Sequence, residues 1–392
     1  MKIKQVEVFH VHKRQSTGQR PILVRIDTDE GIHGLGEVGM AYGIGGGAGA
    51  AMVKDLAALV LGRDPFASEA IWNDFLQRTF WGKGGGIVFF AAASAIDTAL
   101  WDIKARALGV PLYQLLGGKT NGRLRAYASQ IQFGWNRPKR AFLREPAEYA
   151  DAALTAVAGG YDAVKVDLID IDAGGVSRGP KLAGPLRSEV VRLAESRLAA
   201  IRNAVGDDVD IIVENHSYTD TNGAIQLAKA LEDYRVFFYE ETTSPLNPEL
   251  MARIKAKTSI PLAAGERIAS RYGFRPFLEA RTLDVIQPDA GICGGVSEFK
   301  KISEMAAVYD VAVQAHVAGT GVAEAVALHL EAAIPNFTIH EHHQKALLPE
   351  YAELVERAYL PENGSFSPPE SVGIGQELTD AVYAQSDRAL VR

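Results

Sequence analysis

A single cysteine, Cys293, stands among 392 residues, so no internal disulfide can form. A chain of this length builds a core without that staple, and the sparing use of cysteine fits a reducing cytosol. Excess basic charge is also missing: 41 Lys and Arg face 48 Asp and Glu, a net charge of −7. That balance argues against nucleic acid as the main partner. Long hydrophobic runs are absent too. The most apolar stretch, Gly86 to Trp101, carries Asp97 and is followed by Asp102 and Lys104. A bilayer span takes about 20 apolar residues, so this stretch reads as a buried helix and no membrane anchor is expected. The opening MKIKQVEVFHVHKR alternates apolar and polar residues, which reads as a strand and not as a signal peptide. A cytoplasmic location is therefore expected. What is present is an ordinary globular composition, 47% hydrophobic and 23% charged, which excludes disordered and fibrous classes.

The length suggests two domains, or one large domain with an appendage. Residues 1–36 read as strands: Ile3, Val6 and Val8 in one run, then Ile22 to Ile26, closed by a turn at Asp27 to Gly31. Helical patterns follow at Met52–Leu61, Ala67–Phe80 and Ala91–Leu108, the last stopped by Gly109 and Pro111. From Leu124 the pattern changes. Strand-like runs alternate with amphipathic stretches: Leu124–Ile131, Ala163–Leu168, Asp210–Glu214, Val236–Glu240, Pro261–Glu266, Val285–Asp289, Ala312–His316 and Thr338–Glu341. Strand and helix alternating in this way predict a parallel sheet, and eight strands predict a closed β/α barrel, with an open doubly wound sheet as the rival. The tail from Pro361 leaves the barrel.

Three glycine-rich segments tempt and are set aside. Gly43–Gly49 lacks a surrounding βαβ unit and reads as a mobile loop rather than a dinucleotide fingerprint. Gly118-Lys119-Thr120 lacks the earlier glycine of a phosphate loop, since position 113 is Tyr113, and reads as a helix C-cap turn. Trp81–Gly86 reads as a flexible loop with Trp81 as a candidate substrate contact.

The chemistry lies at the strand ends. Glu214, Glu240 and Glu266 end three successive runs at intervals of 26 residues, one β/α unit each. Carboxylates ending three neighbouring parallel strands converge, and their repulsion is relieved by a hard divalent cation; oxygen-only ligands suit Mg²⁺. Residues two apart share a strand face, so His216 joins Glu214, and Lys165 joins Asp167. Asp289, His316 and Glu341 end the last three runs. A carboxylate holding one ring nitrogen fixes the histidine tautomer and raises the basicity of the other, so Asp289 and His316 form a candidate dyad. His340 and His342 are expected to pack outside the sheet; only His343 shares the Glu341 face. Metal plus base describes proton abstraction beside a carboxylate through a stabilised ene-diolate.

The stretch AASAIDTALWDIKAR at 92–106, continued by ALGVPLYQLLGG, resembles the signature helix of the enolase superfamily's mandelate racemase subgroup. VEN, YEE and AAGE resemble its metal-ligand strand ends, and IQPD and AHV its base dyad. The resemblance implies an N-terminal α+β cap at 1–123, a modified (β/α)7β-barrel at 124–355, and a C-terminal segment at 356–392 completing the cap. It implies that Glu341 hydrogen-bonds the substrate carboxylate, and that cap loops near 14–20 and 37–49 help set specificity. It further implies a homo-oligomer, octamer or dimer. Three departures stand out. Glu214 replaces the usual aspartate, Lys165-Val166-Asp167 replaces a Lys-x-Lys pair, and Thr242 replaces a common proline. His216 resembles the acid of galactonate-type acid-sugar dehydratases.

The expected activity is Mg²⁺-dependent dehydration of an aldonate or aldarate to a 2-keto-3-deoxy acid. Glu214, Glu240 and Glu266 hold the metal, His316 with Asp289 takes the α-proton, and His216 protonates the leaving hydroxyl. Lys165 neutralises carboxylate charge; Asp167 either binds a hydroxyl or pairs with Lys165. Arg14, Tyr42, Trp81 and Arg267 are candidate substrate contacts, and Trp135 and Arg137–Arg140 sit in an insertion facing substrate or another subunit. The alternatives are a cycloisomerase, a racemase or epimerase, and a non-catalytic binding protein.

Overall fold

The computed structural model describes residues 1–12, 17–177 and 181–392. Three strands open the chain, β1 (Ile3–Val11), β2 (Ile22–Thr28) and β3 (His33–Val38). They form an antiparallel meander, and the last strand of the chain completes it (below). The strands bury both faces, so they read as nearly continuous apolar runs. Val6, Val8, Ile22, Val24 and Ile26 pack on the cap helices, while Phe9, Leu23 and Leu35 join the larger core.

Helices α1 (Gly46–Ala57), α2 (Ser68–Arg78) and α3 (Ile87–Leu108) follow. The glycine run at 43–49, expected as a loop, thus begins a helix from Gly46 onward. The other two helices lie within a few residues of their predicted ranges, and the third strand was not separately foreseen. Helix α3 is apolar around most of its circumference because it is sandwiched between the two cores. Its alanines let the backbone close in on β3. A Cβ on Gly36 would come within 2.0 Å of Ala95 O, so only glycine fits there. Its two buried acids fasten neighbouring parts together. Asp97 accepts from Ser297 N and Oγ at 2.9 and 2.7 Å. Asp102 accepts from Leu35 N at 3.0 Å and from Ile374 N at 2.9 Å. Helix α3 ends at left-handed Gly109, followed by the short α4 (Leu112–Leu115); Gly118 N then bonds back to Tyr113 O, the expected C-terminal turn.

Eight parallel strands then alternate with seven helices. The strands are β4 (Leu124–Ser129), β5 (Ala163–Asp167), β6 (Asp210–Glu214), β7 (Val236–Glu240), β8 (Leu262–Ala264), β9 (Val285–Ile286), β10 (Ala312–Val313) and β11 (His340–His343). The helices are α5 (Pro146–Ala158), α6 (Ser188–Val205), α7 (Thr221–Leu231), α8 (Pro248–Lys255), α9 (Ser270–Glu279), α10 (Gly295–Ala307) and α11 (Gly321–Ala333). Neighbours pair in sequence order, β11 pairs back onto β4, and a bridge from Val313 to Phe337 spans the remaining gap. This is the (β/α)7β order expected. The ladders of β8, β9 and β10 are shorter than their sequence runs, so Glu266, Asp289 and His316 lie just beyond paired backbone.

The inward-facing Tyr127, Ala163, Ile212, Phe238, Ala263, Val285 and Ile339 fill the barrel floor. After β11 come α12 (Pro349–Ala352), then β12 (Ser365–Phe366), which pairs with the start of β4, and α13 (Asp380–Ala384). Last, β13 (Ser386–Val391) lies antiparallel on β1, with Val6 opposite Val391. No helix among the described residues is long and apolar enough to cross a membrane.

Candidate active site

The carboxyl ends of the barrel strands and the cap loops enclose a cavity of about 560 Å³, within the usual range for small-molecule sites. At its base Glu214, Glu240 and Glu266 each offer an oxygen within 4.8 Å of the others. Successive strands place them there, since Glu214 and Glu240 occupy matched positions in the β6–β7 register.

Lys165, on β5, is buried among them. Its Nζ lies 3.0 Å from Glu214, 2.8 Å from Glu240 and 2.9 Å from Glu341. Burial works to discharge this ammonium, but the three carboxylates outweigh it and hold Lys165 protonated well above its ordinary range. One cation does not balance the group. Burial and the neighbouring Glu214 push Glu240 up. Glu214 is held down, because His216 and Lys165 overcome its burial. Glu240 Oε2 accepts no hydrogen bond, nor does Glu214 Oε2, despite the nearby Nζ. Buried carboxylate oxygens gathered this closely, with Glu240 Oε2 left without a partner, fit a hard divalent cation, and an all-oxygen donor set with no thiolate or imidazole matches that choice.

Two histidines flank the triad, each backed by an aspartate. His316 Nδ1 lies 2.7 Å from Asp289 Oδ2, and its Nε2 lies 3.2 Å from Glu266. Asp289 is itself fixed by Gly291 N at 2.7 Å. Burial lowers the His316 pKa, but Glu266 and then Asp289 raise it further, to about 9. On the opposite flank, His216 Nδ1 lies 2.9 Å from Asp167 Oδ2 and its Nε2 3.9 Å from Glu214. Burial opposes its charge, but Glu214 and Asp167 raise it to about 10. His216 and Ser217 both have positive φ, 43° and 57°, and this bend sets the His216 ring over the mouth.

Asp167 therefore does not pair with Lys165, as one expectation had it. Its Oδ1 is occupied by Ile169 N and Asp170 N at 2.9 and 2.7 Å, and Oδ2 holds His216. Lys165, on the same strand face, turns instead to the larger negative charge of the glutamates. Glu341 accepts from Ser129 Oγ at 2.6 Å, Val317 N at 3.0 Å and Lys165. With Lys165 beside it, Glu341 lies well below the usual carboxylate range despite burial, and so stands as an acceptor.

The expected substrate contacts divide. Tyr42 and Arg267 line the cavity. Arg267 is tied to Glu241 and, at 3.0 Å, to Glu266. Trp81 does not reach the cavity: beyond the end of α2 it stacks edge-on with Phe80 and is 82% exposed. Arg14 lies outside the described residues. Trp135 is buried against Tyr161 and His342, whereas Arg140 of the same insertion lines the cavity. His340 pairs with Glu331 of α11 at 2.6 Å, on the outer side of the barrel sheet, and His342 contacts Tyr161 there. Ser129, Gln130, Gln344 and Lys345 belong to the site but were not foreseen. Of these, Ser129 carried a weak signal, since it ends the first barrel strand.

The chain matches two family descriptions in tandem. Residues 4–117 match the mandelate racemase/muconate lactonizing enzyme N-terminal domain, and residues 148–382 match the enolase C-terminal domain-like family. The chain belongs to the enolase superfamily. It is an enzyme of the mandelate racemase/muconate lactonizing enzyme type, and the triad and dyads described above occupy that barrel's mouth. A D-galactonate dehydratase of Ralstonia nicotianae is 33% identical to it, covering 94% of this chain and 92% of the relative. A D-gluconate dehydratase of Thermoproteus tenax is 34% identical, covering 97% of this chain and 73% of the relative. A solved enolase-superfamily structure from Salmonella Typhimurium is 52% identical with a TM-score of 0.97, covering 100% of both chains.

Proposed function

We propose that the protein is a Mg²⁺-dependent hydro-lyase that converts an aldonate or aldarate into a 2-keto-3-deoxy acid. The observation that carries this reading is the pair of His–Asp dyads facing one acidic triad from opposite flanks. One histidine serves as base and the other as acid, which is what removal of an α-proton and a β-hydroxyl requires. The dehydratase names of the relatives agree with it.

Glu214, Glu240 and Glu266 would hold the ion. When bound, it supplies Lewis-acid stabilisation of the charge that develops on the substrate carboxylate. With Glu266 committed to the ion, it would no longer hold His316 protonated, and His316 Nε2, with Nδ1 fixed on Asp289, takes the α-proton. Lys165 donates to the carboxylate oxygens, and Glu341 with Ser129 keeps that ammonium in place. His216, oriented by Asp167, gives its proton to the departing 3-hydroxyl, so water leaves. The resulting enol tautomerises to the keto acid. A cytoplasmic location and a homo-oligomeric state, octamer or dimer, belong to the same reading.

The test is a panel of mono- and diacid sugars incubated with Mg²⁺-loaded protein in D₂O. Loss of water with keto-acid formation is expected for at least one member. His216→Asn should retain α-deuterium exchange while losing elimination; His316→Asn should lose both. No keto acid from any member would sink the reading. The two dyads also suit proton transfer between opposite faces of one carbon. Inversion without loss of mass would therefore point to a racemase or epimerase, and ring opening or closure without loss of water to a cycloisomerase.

A further inference from the structure

The cavity holds positive charge that the reaction above does not use. Lys345, in the turn after β11, is 2% exposed and lines the cavity. Its Nζ donates to Gln19 Oε1 of the cap at 3.2 Å, and among the described residues it has no carboxylate within ion-pair distance. Glu37 attracts it from farther away but is committed to Thr320 and Ala323. Burial, helped by Arg140, pushes the Lys345 ammonium down to about 8 against the more distant pull of Glu37, Glu341 and Asp289. Arg140, in the insertion after β4, lies 3.6 Å from the Phe133 ring centroid and likewise has no ion-pair partner among the described residues. A guanidinium stacked on a ring keeps its planar fork free for a carboxylate.

Their place in the barrel matters. The triad follows β6, β7 and β8, whereas Arg140 and Lys345 follow β4 and β11, across the mouth. Lys345 reaches the cap through Gln19; Arg140 has Tyr42 of the cap, Asp170 and Tyr351 as electrostatic neighbours, with Asp170 beyond ion-pair distance. Beside Lys345, Gln344 lines the cavity, and its buried Oε1 accepts no hydrogen bond. A buried cation such as Lys345 that lacks a paired carboxylate is unfavourable unless a ligand brings the missing charge.

We propose that Arg140 and Lys345 form a second anion subsite holding the terminal carboxylate of a dicarboxylic acid sugar. The preferred substrate is then an aldarate rather than an aldonate, an inference that rests on the acid-sugar reading above.

Calorimetry on the Mg²⁺-loaded protein tests the subsite without turnover, using adipate and hexanoate, which have equal chain length and no hydroxyl to lose. Adipate should bind about tenfold more tightly than hexanoate, the usual worth of a charge-assisted hydrogen bond. In Arg140→Gln and in Lys345→Met that ratio should fall towards one. Arg140 sits half-exposed in a loop, so its variant stays informative if the buried Lys345→Met fails to fold. Kinetically, hexarates should exceed hexonates of the same configuration in kcat/KM, and Arg140→Gln should erase the difference. Equal binding of adipate and hexanoate, or a preference that survives both substitutions, would overturn the subsite. Preference for a 6-phosphohexonate over the hexarate would overturn the carboxylate assignment. A binding preference with no turnover on any acid sugar would uphold the subsite and overturn the dehydratase reading instead.

Discussion

At the scale of single residues, the site is assembled against its own stability. Glu240 is buried between like charges and is pushed up towards protonation. Glu240→Gln removes that repulsion while keeping an oxygen for Lys165. The metal-free variant is expected to melt higher than the parent, by an amount worth about 1 kcal/mol. Its melting temperature should no longer rise when Mg²⁺ is added, whereas the parent's should. Differential scanning calorimetry with and without Mg²⁺ checks both halves. Asp167 acts at the same scale through another residue. With Oδ1 bound to two backbone amides, Oδ2 has one partner to orient, His216. Asp167→Asn should slow elimination by about 10²-fold or more, as loss of a tautomer-fixing carboxylate does in other dyads. It should leave α-deuterium exchange close to the parent rate; NMR in D₂O separates the two steps. That role was hidden in the sequence. Strand alternation put Lys165 and Asp167 on one face and suggested that they pair, but the distribution of glutamates, visible only in three dimensions, decides which partner each takes.

At the scale of elements, carboxylates hold the cap to the barrel. Glu37 of β3 accepts from Thr320 Oγ1 at 2.7 Å, Thr320 N at 3.0 Å and Ala323 N at 3.3 Å, at the start of α11. A negative charge suits a helix N-terminus, and its removal strands several buried donors. Glu37→Ala should destabilise the protein by about 1–3 kcal/mol, measured by urea denaturation. Glu377 gives a pH signature. It accepts from Arg106 of α3 and lies 2.8 Å from His33. Burial opposes its charge, but His33 and Arg106 lower its pKa from 4.5 to about 2. A depressed acid contributes stability that is fully present above the unfolded pKa and is lost as pH falls through the folded value. The gap in melting temperature between parent and Glu377→Gln should therefore be constant above about pH 5 and close between about pH 4.5 and 2. The eight barrel strands and three cap helices were legible because periodicity reports burial directly. Glu37 and Lys345 were not, since each earns its place through a contact with a residue far along the chain.

At the scale of the molecule, the cap is built from both regions flanking the barrel, because β13 pairs with β1 in an otherwise N-terminal sheet. Deleting residues 386–392 should leave the barrel's circular-dichroism signal largely intact while exposing the β1 edge. Dye binding and association beyond the parent's own assembly, growing with concentration, should then appear. The pairing of Val6 with Val391 also carries a meaning in time. During synthesis the barrel strands emerge in order and can pair with neighbours as they come. The first strand of the cap must wait, one edge unpartnered, until residues 386–391 are free of the ribosome. Loops that join or follow the cap strands, carrying Gln19 and Tyr42, line the cavity, so its roof settles only once that pairing is possible.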